Sequence, residues 1–162
     1  MNAEDMYQEI ILDHYRAKHH SGLREPFSCQ VSHVNPTCGD EVSLRVFLDE
    51  GVVKDVSYEA IGCSISQASI SVMTDLVIGK PLESALALGE SFTALMHTGG
   101  ELSDSQVEAQ EEILEDGVAF IGVAKFPVRV KCALLGWSAF KDASSQAFDL
   151  GQGAAKKVSP HV

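Results

Sequence analysis

Apolar residues recur every three or four positions in "MYQEIILDHYRAK", where Tyr7, Ile10, Ile11 and Tyr15 share one helical face. This predicts an amphipathic first helix. "HHSGLREPF" ends it, with Gly22 and Pro26 as breakers. The period then changes to two. Val42, Leu44, Val46 and Leu48 alternate with Ser43, Arg45, Phe47 and Asp49. After the turn Asp-Glu-Gly, a return strand carries Val52, Val53, Val56 and Tyr58. Alternation and β-branched content predict a hairpin. A further strand in "CQVSHVNPTCGD" completes a small antiparallel sheet. Its apolar face needs a cover, and helices are the available material.

Helical spacing returns after Gly62-Cys63, with Ile65, Ala68, Val72 and Leu76 in phase and Ser64 and Ser66 as candidate caps. Gly79-Lys80-Pro81 separates this helix from "LESALALGESFTALMHTG". The acidic stretch "ELSDSQVEAQEEILEDG" reads as a solvated helix, or helix plus loop, inserted before a short helical "VAFIGVAKF". Pro127 is placed to open a last helix through Cys132, Leu135, Trp137 and Phe140. The expected fold class is α+β: a three-stranded antiparallel sheet packed against helices, with an added helical segment before the last cysteine. Residues 1–150 are expected to form one domain and 151–162 a flexible tail.

Composition narrows the function. The chain has 162 residues, enough for a core of its own. Twelve basic residues against 23 acidic ones give a formal net charge of −11, which argues against nucleic-acid and anionic-membrane partners. No apolar run is long enough to span a bilayer. The first residues do not resemble a secretion signal, so a cytoplasmic site is expected. "GKP" at Gly79 lacks the rest of a phosphate-binding loop, and no Ser-His-Asp set suggests itself.

The four cysteines, Cys29, Cys38, Cys63 and Cys132, contain no CxxC pair. Cys29 reads as a buried apolar thiol. Cys38 follows a proline turn in "NPTCGD", Cys63 marks a strand-to-helix junction, and Cys132 lies near the start of the last helix. Cys38 and Cys63 can meet at one end of the hairpin. Spacing alone does not bring Cys132 to them across 69 positions. Three thiolates plus the Asp40 carboxylate would make a four-coordinate zinc site, with Asp40 the harder and more displaceable ligand. Arg129 and Lys131 are placed to offset its negative charge. His14, His19, His20, His33 and His97 read as solvated or capping residues, and His161 as tail.

Four segments together carry a family resemblance: "YQEIILDHYRAKHHSG", "NPTCGD", "GCSISQASISVMTDLVIGK" and "FPVRVKCALLGW". The chain resembles the IscU/NifU-like iron–sulfur cluster assembly proteins, and within them the SufU branch. The resemblance implies that Cys38, Asp40, Cys63 and Cys132 form the metal site. In scaffold members a histidine precedes the last cysteine; here that residue is Lys131. The insertion and Arg129 fit the SufU branch. That branch implies zinc-dependent sulfur transfer with a SufS-type cysteine desulfurase. Zinc exchange with a desulfurase histidine frees Cys38, which accepts persulfide sulfur destined for downstream iron–sulfur assembly proteins. Arg129 would orient or neutralise the opened site. Two other readings stay open: a scaffold carrying an iron–sulfur cluster on these residues, and a zinc-bound adaptor that stimulates the desulfurase without carrying sulfur.

Overall fold

The computed structural model of the chain describes residues 2–151; the expected tail beyond Gly151 lies outside them. The elements run α1 (Ala3–Ala17), β1 (Cys29–Asn35), β2 (Asp40–Asp49), β3 (Val52–Ile61), α2 (Ser64–Val77), α3 (Leu82–Met96), α4 (Asp104–Leu114), a 3-10 segment (Glu115–Lys125) and α5 (Pro127–Leu150). The three strands form one antiparallel sheet in the order β1-β2-β3. This is the expected α+β architecture, with the added helical material placed before Cys132.

The two-residue turn Glu50-Gly51 joins β2 to β3, and both residues have positive φ (51° and 77°). That geometry suits the natural strand twist and makes Gly51 the natural occupant of its position. Val42, Leu44, Val46 and Leu48 all point into the core, as the alternation requires. On β3 the phase breaks, because Val53 and Val56 are both buried. A bulge explains this: Phe47 pairs with Asp55 but Leu48 pairs with Val53, leaving Lys54 as the extra residue.

Helix α5 lies across β1 and β2, while α2 packs beside it and touches β3. The helices approach closely. Ser69 Oγ donates to the Ala133 carbonyl at 2.7 Å, and a side chain at Gly136 would collide with Ile70. Helix α1 rests on α2 and the 3-10 segment. Its apolar residues Tyr7, Ile10, Ile11 and Tyr15 are only half-buried, and the buried residue of the helix is His14. That corrects its reading as a solvated or capping histidine. The acidic α4 is exposed along most of its length, as expected, and is capped by Ser103 and Gln106 in a reciprocal box.

Two other sequence readings change. The N-cap of α2 is Cys63 itself, and Ser64 is the first helical residue. Ser66 Oγ turns back to the Cys63 carbonyl at 3.0 Å instead of capping an N–H.

The α2–α5 contact generates a test. Gly136→Ala should destabilise the protein by about 1–3 kcal/mol through overpacking. Combined with Ile70→Ala, its cost should be smaller than alone, because the obstructing atom is gone. Urea unfolding of the four proteins measures this; strictly additive costs would refute the contact.

Candidate metal centre

The site lies at the end of the sheet where β1 turns into β2 and β3 leaves for α2. Register puts its residues there. Asn35 pairs with Asp40 across the β1–β2 turn, and Glu41 pairs with Ile61, so Asp40 faces the exit of β3. The turn residues Pro36–Gly39 close on Asn35, whose carbonyl accepts from the Cys38 and Gly39 amides at 3.2 and 2.8 Å. Its side-chain oxygen accepts from Thr37 N–H at 3.3 Å. Cys38 is thereby held at the tip of the turn, half-buried.

Asp40 is fully buried. Its Oδ1 accepts the Cys63 amide at 2.9 Å, and its Oδ2 lies 3.8 Å from Cys63 Sγ. Cys63 has no side-chain cap bond of its own, and the first turn of α2 has no acid. Asp40 supplies both functions from a neighbouring strand: it takes the N-cap amide and places a negative charge at the helix N-terminus. Gly62 makes this possible. Its φ is +149°, and a β-carbon there would overlap the Asp40 carboxylate.

Cys132 sits in the second turn of α5 and is buried. Its Sγ is 3.2 Å from Cys38 Sγ. Asn35 Nδ2 approaches the same sulfur at 4.0 Å. Burial pushes the Cys132 thiol well up, and its hydrogen bonding to Cys38, Asp40 and Cys63 adds to that. Ligand atoms of Cys38, Asp40 and Cys132 lie within 4.8 Å of one another, and Cys63 joins them through Asp40. All four candidate ligands therefore converge, although Cys132 is distant in sequence. Cys29 is elsewhere, buried beside Gln146.

Arg129 is exposed one helical turn before Cys132. The thiolates raise its pKa: Cys63 by charge first, then Cys132 by hydrogen bonding and charge, with a smaller contribution from Cys38. The guanidinium is thus within electrostatic reach of all three sulfurs. Lys131 is the second cation expected near the site. It is exposed, two residues further round the helix, and makes no ion pair among the described residues. Of the two cations expected to offset the site, Arg129 is the one shown to interact with the sulfurs. Two supporting residues escaped the sequence reading, Asn35 and Gly62; the motif glycine directly before Cys63 was the visible signal for the second.

The donor set suits a thiophilic divalent ion. Three sulfurs and one oxygen match a closed tetrahedral zinc site in number and kind. Asp40 adds an independent reason. A fully buried carboxylate requires a cation or dense hydrogen bonding, and no Lys, Arg or His pairs with it among the described residues. A metal ion would be that counter-charge.

The chain matches known proteins over most of its length. The family model described as the NifU-like N terminal domain matches residues 6–133. The chain is 42% identical over 138 residues to the iron–sulfur cluster assembly scaffold protein IscU of Streptococcus pyogenes, covering 85% of this chain and 82% of that one. It is 40% identical over 140 residues to the zinc-dependent sulfurtransferase SufU of Bacillus subtilis, covering 86% and 90%. Among solved structures, an iron–sulfur cluster assembly scaffold protein for the SUF system from Fervidobacterium islandicum superposes with a TM-score of 0.70 at 32% identity, covering 88% of this chain and 99% of that one. The N-terminal part of a NifU-like protein from Brucella abortus superposes at 0.75 with 25% identity, covering 90% and 96%. With the family model spanning most of its length and such relatives on either side, the chain belongs to the NifU-like N-terminal domain family of IscU and SufU proteins.

Proposed function

We propose that this protein is a zinc-dependent sulfur-transfer protein of iron–sulfur cluster assembly, taking persulfide sulfur from a SufS-type cysteine desulfurase in the cytoplasm. The observation that carries it is the convergence of three cysteine sulfurs around a buried carboxylate that no Lys, Arg or His pairs with among the described residues. The likeness to a relative named a zinc-dependent sulfurtransferase supports the choice of metal and activity. Lys131 supports it over a cluster scaffold, since it replaces an imidazole with a group that ligates poorly when charged.

Cys38, Asp40, Cys63 and Cys132 would hold the ion. Zinc, when bound, would keep these thiols deprotonated at neutral pH and fill the charge gap at Asp40. The remaining chemistry belongs to the chain. Cys38 sits on a turn and is the more accessible partner of its pair with buried Cys132. Its thiolate attacks the terminal sulfur of the donor persulfide. A new sulfur–sulfur bond forms on Cys38, the donor's sulfur–sulfur bond breaks, and the donor leaves as a thiolate. Oxidation level is conserved, with no external oxidant. Arg129 offsets the negative charge gathered by donor and acceptor. Asp40 keeps Cys63 fixed through its amide while Cys38 reacts.

Incubation with a SufS-type desulfurase and cysteine, followed by elemental analysis and intact mass, tests this. We expect one zinc per chain and a mass gain of one sulfur atom, absent in Cys38→Ala. Iron and acid-labile sulfide in equal amounts, without zinc, would establish the scaffold reading instead. Stimulation of the desulfurase by Cys38→Ala without sulfur uptake by the unmutated protein would establish the adaptor.

Gly62 gives a second test, aimed at the ligand shell. Gly62→Ala should lower zinc affinity by about tenfold or more by displacing Asp40, with far-UV circular dichroism unchanged. Competition with a chromophoric chelator reads the affinity, and an unaltered value would remove Asp40 from the site.

A further inference from the structure

A second convergence of ligand-type side chains lies where the end of α1 crosses the C-terminal half of α2. His14 is only 4% exposed. Its Nε2 meets Asp116 Oδ2 at 2.9 Å and its Nδ1 meets Ser71 Oγ at 2.8 Å. His19 Nδ1 lies 2.7 Å from Asp75 Oδ2, and His20 Nδ1 lies 3.5 Å from Asp75 Oδ1. The His14 and His19 ring centroids are 4.8 Å apart. One ligand atom from each of His14, His19 and Asp75 lies within 4.8 Å of the others.

The buried hydroxyl of Tyr58 adds an independent observation. Tyr58 is 1% exposed, and its hydroxyl meets no partner at full hydrogen-bond geometry among the described residues. Buried polar groups are rarely left so, and each one calls for an explanation. This hydroxyl is set against the same cluster. Burial, followed by the charge of Asp75, pushes its ionisation up to about 12, while hydrogen bonding with Ser71 acts in the opposite sense. Ser71 and Asp75 are thus the polar groups that act on this hydroxyl.

We infer that His14, His19 and Asp75, with His20 alongside, form a second divalent-cation site separate from the cysteine cluster. The donors are imidazole nitrogen and carboxylate oxygen, with no sulfur. That set suits borderline ions such as Zn²⁺, Co²⁺ or Ni²⁺ and disfavours Mg²⁺ and Ca²⁺, which take oxygen. Asp116 holds the outer nitrogen of His14, as a carboxylate behind a ligating imidazole does. With that proton on Nε2, the Nδ1 lone pair turns inward toward Ser71 and the His19 ring. Asp75 lies twelve residues after Cys63 on α2, about 18 Å along the helix at about 1.5 Å per residue. The two sites therefore do not share an ion.

Titration of Co²⁺ into the zinc-loaded full chain, followed by calorimetry and absorption, tests the inference. We expect one further equivalent to bind without the intense thiolate-to-cobalt band that marks cysteine ligation. His19→Ala and Asp75→Asn, both at partly exposed positions, should each weaken that equivalent by about tenfold or more while zinc at the cysteines stays. In the unmutated protein, paramagnetic Co²⁺ should broaden the ring proton resonances of His14 and His19 ahead of those of His33 and His97. Absence of a second equivalent overturns the site, as does one that survives both substitutions or broadens only His33 or His97. Where a variant fails to fold, the resonances of the unmutated chain decide. The thiolate band reports the cysteine cluster separately, so failure of either site is read without the other.

Discussion

The hydrogen bond from the Cys63 amide to the Asp40 carboxylate is the constraint on which the cysteine cluster depends. It joins the first residue of β2 to the residue that starts α2. A helix beginning there has no capping side chain and no acid of its own. The sheet provides both through one buried carboxylate, and Gly62 leaves the space for it. The carboxylate's other oxygen faces the Cys63 sulfur. A single interaction thus sets the direction of α2, the position of one thiol and the need for a counter-charge. Removing the charge would relax the electrostatic cost at Asp40 but also loosen the helix start.

Helix α5 completes what that hydrogen bond begins. Its contact with α2 is close because small groups line it: Ser69 meets the Ala133 carbonyl, and Gly136 accommodates Ile70. Cys132 lies one residue from Ala133, so the packing that fixes the crossing also fixes the sulfur. A small shift between the helices would move Cys132 off Cys38, whose sulfur is only 3.2 Å away. Stability and site geometry are coupled here through van der Waals contact, which rises steeply at short range.

Much of this was legible in the sequence, and the limits have physical causes. Period-two spacing in β2 gave its inward residues because the strand is regular. The same rule failed on β3, where the Lys54 bulge changes the parity that alternation assumes. Cys38, Asp40 and Cys63 could be placed together because local register joins them. Cys132 reached them only through the family resemblance, since its position depends on helix packing across a long insertion. His14 was misread because a histidine near the end of the first helix suggests a solvated or capping side chain. Its burial rests on Ser71 and Asp116, partners 57 and 102 positions away that no local window contains. Lys131 was grouped with Arg129 by proximity, while the helical rotation between them separates their directions.

The buried hydroxyls of α2 set that helix apart from an ordinary core helix. Ser66, Ser69, Ser71 and Thr74 are all buried, and each has a partner: Ser66 the Cys63 carbonyl, Ser69 the Ala133 carbonyl, Ser71 the His14 ring and the His19 amide, and Thr74 the Ser71 and His19 carbonyls. Buried hydroxyls contribute little net stability, but they fix geometry because leaving one unmatched is costly. Along α2 they lock, in turn, the cysteine end, the α5 crossing and the histidine end. A change in the occupancy of either polar end therefore acts on a rigid rod whose rotation is already specified at three points. Apolar packing alone would allow such a helix to slide or roll by small amounts; matched hydroxyls oppose that motion and keep Cys63 in register with Asp40.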